Sequence, residues 1–383
     1  MRPMTAALRI AALAAGLLAG ANAAAESDID LRGGFGYDSN AYDLSDVLGE
    51  QSGFFADAEA TVNAEGTATG GWHKQADLGL AGRLYESSLR DADRGRIYVR
   101  ARADSAEKYD EHGWDWALRY ALRDQTYVSR LTGLVATDAV GNEIGDRYDS
   151  GRADLRLQWR FPGREFGRFS IEATAADRNY LEDYEQFGLE RLDYFEYGIG
   201  PGFEVDSRDS NLRVRLQYEK RIYDNRRVSD AAGIPVAGTD LEYQYYGVEA
   251  RYQHRFTRRS AIELTGGYDL REDNGVGYTD RTQWNVGLEW TLRFRDDGRL
   301  VMESEYSSRV FDQQVVGDPT INDEAPEKKG INVQVRYTRP FPFVDIRGFS
   351  LVVEAELDSY DNSSNELYTY DRLVGFVGVR QEF

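Results

Sequence analysis

Residues 284–295 read Trp284-Asn285-Val286-Gly287-Leu288-Glu289-Trp290-Thr291-Leu292-Arg293-Phe294-Arg295. Large apolar side chains take every even position, and polar or small ones take every odd position. A period of two sends the two sets to opposite faces of an extended strand. The run is also long. Ordinary soluble strands have about 5–6 residues, whereas a tilted strand crossing a bilayer needs about 9–11.

The same alternation continues in both directions. Leu212, Val214, Leu216 and Tyr218 interleave with Arg213, Arg215, Gln217 and Glu219. Leu351, Val353, Ala355 and Leu357 interleave with Glu354, Glu356 and Asp358. Applied from end to end, the period predicts sixteen strands. They cover 31–41, 54–66, 72–86, 95–105, 114–127, 148–161, 168–180, 192–206, 210–224, 241–256, 260–271, 281–295, 299–312, 329–339, 348–360 and 369–383. The expected fold is all-β, a transmembrane antiparallel up-and-down β-barrel of sixteen strands.

Connection lengths give a second signal, because membrane barrels join their strands by short turns at one end and longer loops at the other. Long segments (42–53, 128–147, 225–240, 313–328) alternate with tight ones around Pro162-Gly163, Ser207–Asp209, Thr257–Arg259 and Asp296–Gly298. Only the third and fourth connections fail to discriminate. An even strand number puts both termini on the short-turn side, expected to be periplasmic. In that register Trp72, Trp114, Trp116, Trp159, Phe161, Phe169, Phe203, Phe256, Phe294 and Phe349 fall near the periplasmic rim. Tyr37, Tyr127, Tyr148, Tyr180, Tyr223, Tyr243, Tyr278, Tyr360 and Tyr368 fall near the external rim, so the two sets are expected to be interfacial girdles.

The first 25 residues are expected to be a cleaved signal peptide. Arg2 and Arg9 are its basic region, Ile10 to Ala21 its apolar stretch, and Ala21-Asn22-Ala23 or Ala23-Ala24-Ala25 its cleavage site. The barrel is then 26–383. With 66 acidic and 46 basic residues the chain carries −20, or −22 without the two signal arginines. That charge argues against nucleic acid, whose phosphates need a basic partner. Cysteine is absent, so disulfides, thiolate metal sites and a lipid on an N-terminal cysteine are not expected. No cofactor is expected either. Mean hydropathy is −0.60, which alternating lumen-facing residues make compatible with a membrane barrel.

With the apolar set facing lipid, the other set faces the lumen. Arg100, Arg102, Arg119, Arg123, Arg156 and Arg160 lie on the fourth to sixth strands and form a basic wall, diluted by Asp104, Asp115 and Asp154. Glu303, Glu305, Glu354, Glu356 and Asp358 lie on the thirteenth and fifteenth strands and form an acidic wall, interrupted by Arg336. In a sixteen-strand ring the fifth strand lies across from the thirteenth, so the walls should oppose each other. A barrel of this size encloses an aqueous channel. The alternative is a lumen filled by salt bridges.

Apolar loop residues (Leu131, Leu134, Val135, Ile144, Ile234, Pro235, Val236) either pack together or fold inward as a constriction. Asp43, Asp46, Asp183, Glu185, Asp273 and Asp323 are expected to face outward, as solvated charges or as cation bridges to lipopolysaccharide. The three histidines His73, His112 and His254 sit towards the periplasmic side, away from any outer-leaflet chemistry, and no nucleophile or metal motif accompanies them. The chain is read as a non-enzyme.

The chain ends at Phe383, with Val377 and Val379 on the same face and Gly378 upstream, which resembles the C-terminal signal of proteins handled by the outer-membrane assembly machinery. Gln381 stands where that signal has an aromatic. At the other end, Gly36-Tyr37-Asp38-Ser39-Asn40 resembles the opening of an outer-membrane β-barrel porin family associated with capsule or exopolysaccharide export. The resemblance implies a conduit for oligo- or polysaccharide or other polar solutes, with periplasmic export partners. A Tyr-Asp-Ser-Asn element also opens the barrel of surface-lipoprotein assembly modifiers, without their usual preceding helical repeats here. A non-conducting barrel acting as envelope scaffold or assembly factor is the alternative.

Overall fold

The computed structural model describes residues 26–383 apart from 45–48, 69–70, 106–109, 130–133, 139, 165, 183–191, 313–326, 342–347 and 363–368. The signal sequence predicted over 1–25 lies outside the described residues, as do Asp46, Leu131, Asp183, Glu185, Asp323 and Tyr368.

Sixteen strands follow one another: β1 Glu26–Asp38, β2 Gly53–Ala68, β3 Trp72–Tyr85, β4 Arg94–Ser105, β5 Gly113–Gln125, β6 Ser150–Arg160, β7 Arg168–Tyr180, β8 Tyr194–Asp206, β9 Ser210–Tyr223, β10 Glu242–Thr257, β11 Ser260–Asp273, β12 Arg281–Arg293, β13 Arg299–Phe311, β14 Glu327–Pro340, β15 Phe349–Asn362 and β16 Tyr370–Glu382. Each pairs antiparallel with the next. β1 also pairs with β16, from Asp30 opposite Glu382 to Asp38 opposite Val374, so the sheet closes on itself. Closure leaves no strand edge with unpaired backbone groups, the condition for a sheet in hydrocarbon.

Connections sort by end. The segments 39–52, 126–149 and 224–241 lie at one end, and 207–209, 258–259 and 294–298 at the other. The third and fourth connections, 86–93 and 106–112, are again similar in length. Glu26, where β1 begins, and Phe383 both lie at the short-turn end.

The pleat turns one set of side chains outward. Phe35 is 75 % exposed, Ile199 58 %, Leu216 53 % and Val286 51 %. In a soluble protein such a belt would be an uncovered apolar surface. The outer face of the short-turn end carries ring pairs: Trp114 and Trp159 stack at 5.5 Å, and Phe169 and Phe203 meet at 4.8 Å.

The external tyrosines depart from the expected girdle. Tyr37 faces outward against Phe54, with ring centroids 5.4 Å apart. Tyr223 and Tyr243 instead point inward, where they are buried with Tyr194, Tyr245, Val228 and Leu241. Tyr127, Tyr148 and Tyr180 line a luminal cavity. Height along the strand was read correctly from the sequence, but parity decides the face, and these residues share the parity of the luminal charges.

β1 ends at Asp38 rather than at the expected residue 41. Asp38 Oδ1 accepts the Asn40 backbone N–H at 3.1 Å, and Asn40 Oδ1 accepts that of Leu44 at 2.9 Å. Side-chain bonds of this kind compete with the ladder and bend the chain away. The first loop then enters the barrel, where Tyr42 and Leu44 pack with Phe55, Tyr85, Leu89, Val352, Val374 and Phe376. In the fifth connection, by contrast, Ile144 is buried while Leu134 is exposed, and Val128 bridges to Val135. Ile234 and Val236 are exposed. The inward constriction comes from the first loop, which was not among the candidates.

Candidate functional site: the luminal charge walls

The basic wall is built by parity on β4. Arg94, Arg96, Arg100 and Arg102 share its inner face with Tyr98, whose ring fills the notch left by Gly79 on β3. The register then sets arginine against arginine. Arg83 faces Arg94, Arg96 faces Arg123, Arg100 faces Arg119 and Arg152 faces Arg178, on the strand pairs β3–β4, β4–β5 and β6–β7. Like charges placed directly opposite destabilise a sheet.

Some members of the wall are compensated. Asp115, almost fully buried, receives Arg102 at 3.0 Å and Arg156 at 2.7 Å, and Arg156 also lies 3.8 Å from Glu172. Arg83 is matched by Asp57 at 3.1 Å and Arg152 by Asp154 at 2.6 Å. Among the described residues no carboxylate lies within ion-pair distance of Arg94, Arg96, Arg100, Arg119, Arg123 or Arg178. Arg96 and Arg100 instead lie over the Tyr98 ring, at 4.9 and 4.7 Å from its centroid. Arg160 sits at the short-turn end of β6, opposite Gly113.

The wall encloses a cavity of about 750 Å³ lined by Arg83, Arg94, Arg96, Arg119, Arg123, Arg152 and Arg178, with Asp57 and Asp154. A second cavity of about 520 Å³ shares Arg94, Arg123 and Arg178 and adds Tyr42, Tyr85, Tyr127, Tyr148 and Tyr180. The expected wall held only two of the seven arginines lining the first cavity, Arg119 and Arg123. Arg83, Arg94, Arg96, Arg152 and Arg178 were missed, although the run Arg94-x-Arg96-x-x-x-Arg100-x-Arg102 carries the same period of two.

The acidic wall is more nearly neutral. Glu354 accepts both Arg32 of β1 and Arg336 of β14, the latter directly opposite in the register. Asp358 accepts the Asn332 amide and lies 3.8 Å from Arg372, and Glu356 lies 3.4 Å from the same amide. Glu356 makes no ion pair among the described residues, and neither do Glu303, which faces Glu289, and Glu305 on β13. β5 and β13 lie half a ring apart in the closed order, so the arginine excess and these glutamates occupy opposite sides.

Between the walls, the lumen is cross-linked by charge. Arg215 joins Glu172 and Glu249, Arg221 binds Glu196 at 2.6 Å, and Arg251 binds Glu263 at 2.6 Å. At the short-turn end His112 stacks on Trp159 at 5.6 Å, and His254 Nδ1 lies 2.8 Å from Ser210 Oγ. Gly378 faces Gly34 across the closing seam, and Phe383 is exposed, its backbone N–H donating to the Ile29 carbonyl at 2.9 Å.

No protein-family model and no curated protein matches the sequence. Similar solved structures include a loop-L8 deletion mutant of OmpT, an outer membrane protein of Vibrio cholerae (10 % identity, 94 % of this chain and 99 % of that one, TM-score 0.46). OccK8 (OprE) of Pseudomonas aeruginosa is 9 % identical over 94 % of this chain and 98 % of its own, at a TM-score of 0.46. An anion-selective porin from Comamonas acidovorans is 11 % identical over 94 % and 99 %, at 0.43.

Proposed function

We propose that the chain is an outer-membrane conduit, a porin-like channel for polar solutes, exported by its signal peptide and held with both termini on the periplasmic side. The observation that carries this reading is the closed ring of sixteen strands with an apolar outer belt and a charged lumen that contains open cavities. Rings of this strand number leave an aqueous channel, because side chains alone do not fill them. In this reading the outer belt contacts lipid and lipopolysaccharide, the C-terminal strand is presented to the outer-membrane assembly machinery, and no cofactor is used. Oligo- or polysaccharide is the solute that the opening motif suggests, with periplasmic export partners supplying it.

A second reading, a non-conducting scaffold, is favoured by one observation: Tyr42 and Leu44 of the first loop pack inside the barrel. Single-channel recording in a planar bilayer separates the two. The conduit gives discrete ohmic steps. A reconstituted, folded protein that gives none makes the first loop a plug and the scaffold the function.

A further inference from the structure

The arginine excess is densest around the larger cavity; a second group without ion pairs among the described residues, Arg271, Arg281 and Arg309, lies on β11 to β13. Of the seven arginines around the larger cavity, Arg83 and Arg152 are matched by Asp57 and Asp154. The remaining five, Arg94, Arg96, Arg119, Arg123 and Arg178, enclose about 750 Å³ with no carboxylate in ion-pair range among the described residues. The register forces them together: Arg96 stands directly across from Arg123. Repulsion of this kind is a standing cost to folding. Arg215, Arg221 and Arg251, by contrast, each meet a glutamate on an adjacent strand. A surface that concentrates guanidinium forks around an open space suits a ligand bearing several carboxylate or phosphate groups, each met in a bidentate fashion.

We propose that this cavity is a binding site for a polyvalent organic anion, seated on Arg94, Arg96, Arg119, Arg123 and Arg178. The site deepens the conduit reading by naming a class of solute, and it rests on that reading only for access through the lumen. The adjoining cavity shares Arg94, Arg123 and Arg178 and presents the rings of Tyr85, Tyr127, Tyr148 and Tyr180. Rings beside guanidinium forks suit an acidic sugar, whose C–H face packs on an aromatic while its carboxylate is held. A small free polycarboxylate would use the arginines alone.

Calorimetry on the full chain in detergent tests the site without requiring conduction. The probes are citrate, trigalacturonate and the neutral trisaccharide maltotriose. Both anions are expected to bind one to one and to weaken steeply with added salt, whereas maltotriose is not. Arg96→Ser or Arg123→Ser should weaken anion binding by roughly tenfold each, the loss expected for one charge-assisted contact. Arg213→Ser, which removes a luminal arginine held by Glu204 at 3.0 Å outside the cavity, should leave it unchanged. Tighter binding of trigalacturonate than of citrate assigns the site to acidic saccharide, and the reverse assigns it to free polycarboxylate. Arg123→Lys keeps the charge and removes the fork, so it serves where the serine variant does not fold, with weakened but salt-sensitive binding expected. Anion affinities that are indifferent to salt, equal to that of maltotriose, or unaltered by the Arg96 and Arg123 changes overturn the proposal. A protein that binds citrate yet gives no conductance refutes the conduit and leaves the site standing.

Discussion

Gly34 and Gly378 face each other across the seam where β1 closes on β16, and the ring of Phe376 lies over both of them. A Cβ on Gly34 would stand 2.4 Å from the Val377 carbonyl oxygen and 2.6 Å from Phe376 Cζ. One on Gly378 would stand 2.5 Å from the Gly33 carbonyl oxygen. The first and last strands thus approach closely only because both residues lack side chains, and the phenylalanine covers the gap they leave. The glycine read in the sequence as part of an assembly signal is also a packing element of the closing seam.

Gly34→Val should therefore loosen closure, because backbone and not a flexible side chain must give way. The expected loss is about 1–3 kcal/mol, the usual cost of overpacking. It is measurable as a lower unfolding midpoint in urea and a weaker compact band in unheated gels. Gly95→Ala is the control, since its nearest neighbour would be Asp124 Cβ at 4.0 Å. Equal effects at the two sites would show that the seam is not specially tight.

Asp38 is 0 % exposed and accepts Arg372 Nε at 2.9 Å, Arg372 Nη2 at 2.6 Å and the Tyr85 hydroxyl at 2.7 Å. Arg372→Ala leaves that carboxylate buried without its counter-charge, which should cost about 3–5 kcal/mol. Tyr85→Phe removes one hydrogen bond and should cost about 1–3 kcal/mol. Denaturant unfolding in lipid vesicles gives both values. A loss at Arg372 no larger than that at Tyr85 would contradict the buried ion pair.

The base of the fifth connection should respond to pH. Burial pushes the Asp149 carboxyl up to about 6, with the Gln125 N–H that it accepts at 2.8 Å opposing the shift and the nearby Asp124, Asp146 and Glu182 carboxylates adding to it. An unfolded aspartate titrates near about 3.9. Between those values the folded loop holds a proton that the unfolded chain has released. The stabilisation is complete below about pH 4, is lost as pH rises through about 6, and is constant above. Amide exchange at Gln125 and Leu181, corrected for intrinsic rates, should slow from pH 7.5 to pH 5. Asp149→Asn should abolish the difference.

If the lumen conducts, its two walls should set ion preference independently, because luminal salt screens charge over roughly 8 Å. Replacing Arg119 and Arg123 by serine should move the reversal potential towards cation selectivity. Replacing Glu303 and Glu305 by glutamine should move it the other way. Shifts of the same sign in both variants would rule out opposed walls.

Orientation is open to labelling. Cysteine at Val140, 83 % exposed, or at Ile234 should react with an impermeant thiol reagent on intact cells, whereas cysteine at Gly163 or Asp297 should react only after lysis. The opposite pattern inverts the barrel in the membrane.

Strand number and strand limits were legible in the sequence because each side chain's face follows from a period of two, a property of the backbone alone. Fifteen of the sixteen strands start within about three residues of the expected position, and β1 alone departs further, beginning at Glu26 instead of residue 31. The same period marks which arginines face the lumen. It does not say which arginine faces which. That depends on register, fixed by turn lengths and by how the ring closes. The opposition of Arg96 and Arg123, and the pairing of Glu354 with Arg32 on a strand more than 300 positions away, therefore belong to the tertiary structure. So does the inward course of Tyr42 and Leu44, which polar bonds at Asp38 and Asn40 impose on a segment with no strand periodicity. Local alternation determined the barrel and its inner face. Only closure decided which charges cancel and which remain without an ion pair among the described residues.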